Sequence, residues 1–582
     1  MAYIPSSIQL GIEIAKNLIL AGPKKVVLCD NELVRINDLG SNFYLREQHV
    51  GKVTRAEAVV EELTNLNPTV DVQVSKGYDI AFLASNFDCV VISDHYDGEF
   101  LIELNKACRS KGVGFIYTGN LGLYGFGFVD FGDEHKVHDT NGEACKSSVI
   151  VGITQDADGL VYSHEDKRHG FEDGDYITFK EVKGMTEVNG KTFKITFKSP
   201  HSFSIGDTSG FSAYESNGIA EQVKVPVLME FKGLDESLAN PFIAGKKYNE
   251  FKEAHKDDPK ANNPYLPGKK ELDLCSWDKI GRPEELHVIL NALLKYQSLH
   301  KRLPRNLNKE DAAELVSIVN AHLTAAKAKM DIEGEFKVDK VDETVVTNIA
   351  LYADTQISPC CSFWGGIITQ EIVKVTGKYS PLRQWLHHDF LEILPEGVDR
   401  APINSRYSDY AVLFGKQFVE DASHVNTFMV GAGALGCEFI KMAALMGLST
   451  QGKFTCTDDD NIEISNLNRQ FLFRRENVGG NKSEVACAAG RKMNPQSNFV
   501  SCKLRVDPEN EETFNDDFWD SLSFVINAVD NVKARLYVDS KCVWYQKTLF
   551  ESGTLGTKCN SQDVIPKYTQ SYGDSQDPAE ET

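Results

Sequence analysis

The period of apolar residues changes several times along the chain, and each change marks a candidate domain. Up to residue 134, strand-like runs (Lys25 to Cys29, Cys89 to Ser93, Val113 to Tyr117) alternate with helical patterns, the signature of parallel α/β units. Between 135 and 226 the runs shorten, and turn dipeptides separate them at Asp158-Gly159, Asp173-Gly174 and Asn189-Gly190. With DYITFKEV and KTFKITF beside them, they predict the hairpins of an all-β insert. From 227 to 353 the spacing predicts a helical bundle. EELHVILNALLKYQSLHKRL repeats apolar residues at three and four, and Glu310 to Met330 does so behind an acidic start. Asn240 to Lys270, rich in Lys, Asn and Pro, reads as an exposed connection. Residues 354–400 return to helix then strand, in SFWGGIITQEIVKVTG and QWLHHDFLEIL, and complete the first α/β unit. A second α/β unit fills 401–582. The expected fold class is α/β, with two α/β halves, an all-β insert and a helical-bundle insert.

The halves contain one segment twice. LGCEFIKMAALMGL and DDDNIEISNLNRQFLFRRENVG, starting at Leu435, repeat LGIEIAKNLILAGP and DNELVRINDLGSNFYLREQHVG, starting at Leu10. Gly11 matches Gly436, Asp30 matches Asp458, Phe43 matches Phe471 and Val50 matches Val478. The cluster Asn468-Arg469-Gln470 falls on Gly40-Ser41-Asn42. A duplicated segment that loses its charged residues in one copy implies a working site paired with a structural twin.

Composition narrows the partners. The 582 residues are 42% hydrophobic and 25% charged, ordinary for globular protein. A net charge of −22 argues against nucleic acid or an anionic membrane as partner. Thirteen cysteines without CxxC pairs support neither a disulfide framework nor a zinc site, and most read as buried small hydrophobes in a reducing compartment. No signal peptide or run of eighteen apolar residues occurs, so the expected location is cytosolic or nuclear.

The candidate chemistry lies in the second half. NTFMV predicts a strand, then GAGALG (Gly431, Gly433, Ala434 and Gly436 among its residues) opens a helix. Glycines there let the backbone approach a phosphate, and the helix start offers free amides. Asp458 follows at the end of a second strand, placed to accept ribose hydroxyls. Alone this pattern signals a nucleotide, with an NAD-dependent oxidoreductase as the plain alternative. Arg469, beside Asn468 and Gln470, and Lys482 then add cations suited to a triphosphate. Asp530 and Asn531 follow the strand FVINAVDN, where a carboxylate can hold Mg²⁺. The absence of GxxxxGK[ST] excludes a P-loop.

GAGALGCE, TDDDNIEISNLNRQFLFR, NKSEVA, NAVDNVKAR and ESGTLGTK closely resemble the active adenylation domain of the ubiquitin-activating enzymes. The resemblance extends to RHGFEDGDYITFKEVKGM, EDAAELV and the eroded repeat, and so spans essentially the whole chain. It implies two Rossmann-like adenylation halves. Residues 1–134 and 354–400 form the inactive one, and 401–582 the active one. Residues 135–226 are the first catalytic cysteine half-domain and 227–353 a four-helix bundle. The implied activity is attack of ubiquitin's C-terminal carboxylate on the α-phosphate of MgATP. Ala434 lines the nucleotide pocket, Asp458 takes the ribose, and Arg469 and Lys482 meet the phosphates. Asn468 and Gln470 support that cluster, and Asp530 binds Mg²⁺ beside Asn531. The implied partners are ubiquitin and, in the full architecture, ubiquitin-conjugating enzymes, on a monomer whose halves form a pseudo-dimer.

Two departures from the family pattern stand out. The chain stops at Thr582, where the family's Ile-Pro-x-Cys segment begins, so the second catalytic cysteine domain and the ubiquitin-fold domain are expected to be missing. Cys559 reads as a bystander. At the other end, MAYIPSSIQL is expected to supply neither the full first strand and loop nor the family's ATP-reaching arginine, since the first arginine is Arg35. Weak adenylation, or a non-catalytic module that binds ATP and ubiquitin, follows from these departures. Elsewhere plainer readings hold. Arg406-Tyr407 starts a helix at a domain interface, His387-His388 is a surface pair at a strand end, and Cys360-Cys361 packs in a core. Asp577, Glu580 and Glu581 form a solvated tail. Glu172, Asp173 and Asp175 either face ubiquitin or form a solvated turn.

Overall fold

The computed structural model describes residues 2–5, 9–77, 79–94, 96–256, 263–327, 336–556 and 558–574. Strand runs and helical runs alternate in both outer regions, and each builds a doubly wound sheet. In the first lobe the strands run in the order Asp71–Val74, Lys25–Cys29, Ala2–Pro5, Cys89–Ser93, Gly114–Leu121, Tyr124–Asp130 and Trp385–Asp389. In the second the order is Phe499–Cys502, Lys453–Thr457, Asn426–Val430, Phe524–Asn527, Thr548–Leu555 and Lys558–Val564. The first five strands of each lobe pair in parallel and the sixth turns back antiparallel. Both lobes thus share one topology, and the strand order reverses at the third strand, where such sheets take ligands.

The start of the chain departs from expectation. Ala2–Pro5 does form the central strand, in parallel register with Lys25–Cys29 and Cys89–Ser93. A short strand suffices there because both neighbours are already ordered and supply its backbone partners. The loop positions 6–8 lie outside the described residues.

Between the lobes' segments, the insert is a seven-stranded antiparallel sheet, with pairs such as Tyr176–Lys180 with Thr192–Lys194 closed by the turn at Asn189-Gly190. Asp175 accepts from the Glu172 amide within its own turn, and Asp173 from the Phe197 amide of the strand Thr196–Ser199. Helices Arg282–His300, Lys309–Lys327 and Glu343–Leu351 follow. The stretch read as an exposed connection contains a helix at Lys246–Ala254, none of whose residues is buried, and a backbone bridge between Ile243 and Lys269.

His387-His388 is likewise corrected. Both lie in a strand buried along its whole length, because the helix Arg282–His300 covers that edge of the sheet. The His387 ring meets His287 at 3.2 Å and the Tyr124 hydroxyl at 3.1 Å. Cys360 and Cys361 are core residues as read. Asp577, Glu580 and Glu581 lie outside the described residues. Among the described residues no helix is long and apolar enough to cross a membrane.

One apolar core runs through the junction of the lobes, from Ile14 and Phe43 to Ile440 and Phe471. The repeat brings its own charges with it. Helices Leu10–Ala21 and Ala434–Met446 each carry a glutamate and a lysine, Glu13 with Lys16 and Glu438 with Lys441. Lys16 reaches Glu438 at 2.5 Å, and Lys441 pairs with Glu13 in return. The quartet lies on the axis relating the halves.

Candidate functional site

The site is built on the outer edge of three neighbouring parallel strands in the second lobe. Asn426–Val430 ends in the turn Gly431-Ala432-Gly433, which leads into the helix Ala434–Met446. Gly431 holds φ +98°, and a Cβ there would lie 2.5 Å from the Ala528 carbonyl oxygen. A Cβ at Gly436 would lie 2.4 Å from the Gly431 carbonyl oxygen. Only glycine lets the strand, the turn and the next strand approach so closely.

Asp458 ends the middle strand, Lys453–Thr457, and closes the turn. Its Oδ2 accepts from the Ala432 amide at 2.7 Å, and its Oδ1 from the Asp460 amide at 2.9 Å. Burial raises its pKa above the usual carboxylate range, against the pull of those two amides. The chain then forms a tight helical turn at Ile464–Asn466 and presents Asn468 and Arg469 on the surface. Arg469 donates to the Ser465 carbonyl at 3.0 Å and to the Asn468 side chain at 3.1 Å, so no carboxylate neutralises it among the described contacts. Gln470 turns inward instead. It is buried, its amide packs toward Gly433, and its Oε1 has no hydrogen-bond partner.

Lys482 begins the helix Lys482–Met493, capped by Asn481. The Asn481 side chain also ties that helix to the carbonyls of Asp458 and Asp460. The Lys482 ammonium sits 2.7 Å from Asp460. Across the edge, Phe524–Asn527 leads to Asp530, which is exposed and has no hydrogen bond or ion pair among the described residues. Asn531 next to it caps the helix Val532–Trp544 through the Ala534 amide. Sequence reasoning thus named Arg469, Lys482 and Asp530 but missed Asp460 and Asn481. Their signal was available in the run TDDDN and in the asparagine preceding Lys482.

The edge suits a polyphosphate with a hard cation. The glycine cradle excludes side chains, the helix start offers amides, and the segments that follow the cradle's neighbouring strands carry two cations and an unpartnered carboxylate. Asp458, Asp459 and Asp460 also bring their carboxylates within 4.8 Å of one another, but Lys482 and Arg505 already neutralise two of the three. Asp530 is the free donor.

The twin edge in the first lobe has been filled in. By strand register and helix cap, Thr54 takes the place of Asn481 and Arg55 that of Lys482. Arg55 is buried against Asp38, which stands where the second lobe has the neutral Asn466. A Cβ at Gly40, the counterpart of Asn468, would lie 2.1 Å from the Arg406 carbonyl oxygen. Arg406 itself donates to the Met493 carbonyl at 3.0 Å, just before the helix Ser408–Phe414, so the pair 406–407 starts a helix at the lobe interface as read. Cys559 is exposed on the outer strand Lys558–Val564, facing Thr554.

Comparisons with known proteins agree along the chain. A model of the ThiF family matches residues 407–582, one of the ubiquitin-activating enzyme E1 FCCH domain matches 156–224, and one of the ubiquitin-activating enzyme E1 four-helix bundle matches 225–322. The ubiquitin-activating enzyme E1 1 of Arabidopsis thaliana is 42% identical over 98% of this chain and 50% of its own length. The ubiquitin-like modifier-activating enzyme 1 of Oryctolagus cuniculus and that of Homo sapiens are each 40% identical over 98% of this chain and 52% of their own length. The chain spans about half the length of the curated relatives it matches.

Proposed function

The chain shares its domains with the ubiquitin-activating enzyme family, and from that premise we propose that its second lobe adenylates the C-terminal carboxylate of ubiquitin. The carboxylate attacks the α-phosphate of ATP, the bond to the β-phosphate breaks, and ubiquitin-adenylate and pyrophosphate form. The nucleophile belongs to the substrate, so the chain's task is positioning and charge stabilisation. The glycine turn and the amides that open Ala434–Met446 hold phosphate oxygens, and Asp458 orients the ribose. Arg469 and Lys482 meet the charge that shifts toward pyrophosphate. Mg²⁺, held by Asp530 beside Asn531, would neutralise phosphate charge. Asn468 and Gln470 support the cations, and Ala434 leaves room for the nucleotide.

One observation carries the reading. The strands that end beside the glycine cradle lead to segments carrying two cations and a free carboxylate in one lobe, while the twin lobe locks its cation against Asp38. No observation favours an oxidoreductase, since the relatives are ubiquitin-activating enzymes over nearly all of this chain. The same reading brings ubiquitin-conjugating enzymes as downstream partners, a monomer with pseudo-dimeric halves, and the cytosol and nucleus as location. Pyrophosphate exchange into ATP tests it. The wild-type chain is expected to exchange only with ubiquitin present, and Asp530→Ala to lose exchange. Near-normal exchange by that variant, or exchange independent of ubiquitin, overturns the assignment.

A further inference from the structure

The duplicated lobes let each position be compared with its own counterpart. Ala2 lies beside Cys89 as Thr427 lies beside Phe524. Counting along the strands, Ile92 stands where the second lobe has Asn527. Their neighbours on the next strand are Tyr117 and Glu551. The helices that follow are capped alike, by Asp97 through the Phe100 amide and by Asn531 through the Ala534 amide, so Leu101 stands for Arg535. In the twin these three positions are Ile92, Leu101 and Tyr117, all buried in one apolar cluster.

In the second lobe the same three positions form a connected polar network. Arg535 pairs with Glu551, and its other terminal nitrogen donates to the Val529 carbonyl at 2.6 Å. The Asn527 amide donates to Glu551 Oε2 at 2.7 Å. Glu551 and Asn527 are fully enclosed, and the Tyr572 ring lies 5.9 Å over the guanidinium. A buried ion pair seldom stabilises more than well-packed apolar side chains, and the twin demonstrates that this fold accepts the apolar version. Stability therefore does not explain the network. Its distinguishing bond goes to Val529, whose neighbour is Asp530. Only Ala528, Val529 and Asp530 separate the buried strand from its helix cap. A guanidinium has a rigid planar fork, and here one arm is fixed to the sheet through Glu551 while the other holds the turn.

We propose that Arg535 is a positioning residue, clamped by Glu551 and Asn527, that fixes the Val529 carbonyl and thereby aims the Asp530 carboxylate at a divalent cation accompanying a bound nucleotide; this rests on the adenylation reading above. Arg535 touches neither nucleotide nor ubiquitin. It governs how well the neighbouring carboxylate is presented, and partners of this kind commonly change metal affinity about 10–100-fold.

The test separates metal binding from folding and from nucleotide binding. Mn²⁺ affinity for the protein–ATP complex is read from the free-ion EPR signal, and ATP affinity without metal from calorimetry in EDTA. Arg535→Lys keeps a cation near Glu551 but is too short-armed to hold both ends. It is expected to weaken Mn²⁺ binding at least tenfold with ATP affinity in EDTA unchanged. The triple variant Asn527→Ile, Arg535→Leu and Glu551→Tyr installs the twin's residues and removes the buried pair with its amide partner. It is expected to show the same Mn²⁺ loss and a thermal transition no lower than wild type. Unchanged Mn²⁺ affinity in either folded variant, or an equal loss of ATP affinity in EDTA, overturns the proposal. A wild-type chain that binds ATP but no Mn²⁺ with it overturns this inference, and one that binds no ATP overturns the adenylation reading beneath it.

Discussion

At the scale of single residues, the difference between the lobes comes down to how firmly each cation is held. Lys482 meets an exposed aspartate that a phosphate can replace, whereas Arg55 is enclosed against Asp38. The chain pattern revealed the loss of Asn468-Arg469-Gln470 from the twin but not the capture of Arg55. That capture depends on Asp38 and Arg55, 17 residues apart, meeting inside the lobe. Glycine roles were more legible, because a tight turn before a helix has few alternatives. Gly431 is the sharpest case, combining a left-handed backbone with a Cβ position inside contact distance of Ala528. Gly431→Ala is expected to shift the turn, with strain of about 1–3 kcal/mol, and to lower ubiquitin-dependent pyrophosphate exchange about 100-fold. Circular dichroism should remain that of the wild type. Exchange within about threefold of wild type would remove this turn from the site.

At the scale of elements, period and turn chemistry located several strands of both sheets, such as Lys25–Cys29, Cys89–Ser93 and Asn426–Val430, the hairpins of the insert and the long helices. They misjudged the pieces whose environment comes from elsewhere. The opening strand is recruited by neighbours on both sides, and the histidine strand is buried by a helix that begins at Arg282, more than a hundred residues before it. That burial creates a pH-sensitive joint. His287 donates through Nε2 to the Leu238 carbonyl at 3.0 Å, which leaves Nδ1 to accept from His387, so both rings are held neutral. Burial pushes His287 down to about 4 and His387 well below its ordinary value. The unfolded chain binds these protons near 6.5 and the folded chain does not, so stability from the pair is complete above about pH 6.5. It is lost as pH falls toward about 4, by ~3 kcal/mol from His287 alone. Urea unfolding of wild type and of His287→Gln/His387→Gln should therefore converge as pH falls through that window. A constant difference between them would show that the pair does not titrate with folding.

At the scale of the whole molecule, two lobes with the same topology meet around a buried quartet of charges that the duplication itself supplies. Glu13 and Lys441 are enclosed and bonded to each other, and Lys16 and Glu438 repeat the pair across the axis. Phe43 and Phe471, also repeat partners, meet edge to face at 5.6 Å, with Lys16 lying 4.5 Å over the second ring. Burial alone would raise the pKa of Glu438, yet Lys16 and Lys441 hold it down to about 2, so Glu438 stays ionised through the physiological range. Each lysine pairs with a glutamate on its own helix and with one on the opposite lobe, so the cross-lobe half of the network forms only when the two lobes are in register. Removing one member leaves two like charges sharing a single partner, an unmatched buried charge that costs about 3–5 kcal/mol, whereas removing a matched pair leaves none. Lys441→Met is therefore expected to lower the unfolding free energy by about that amount, and Glu13→Leu with Lys441→Met to recover most of it. A double-mutant cycle by urea unfolding measures both. Additive losses in the cycle would mean that the lobes are held by their shared apolar core alone.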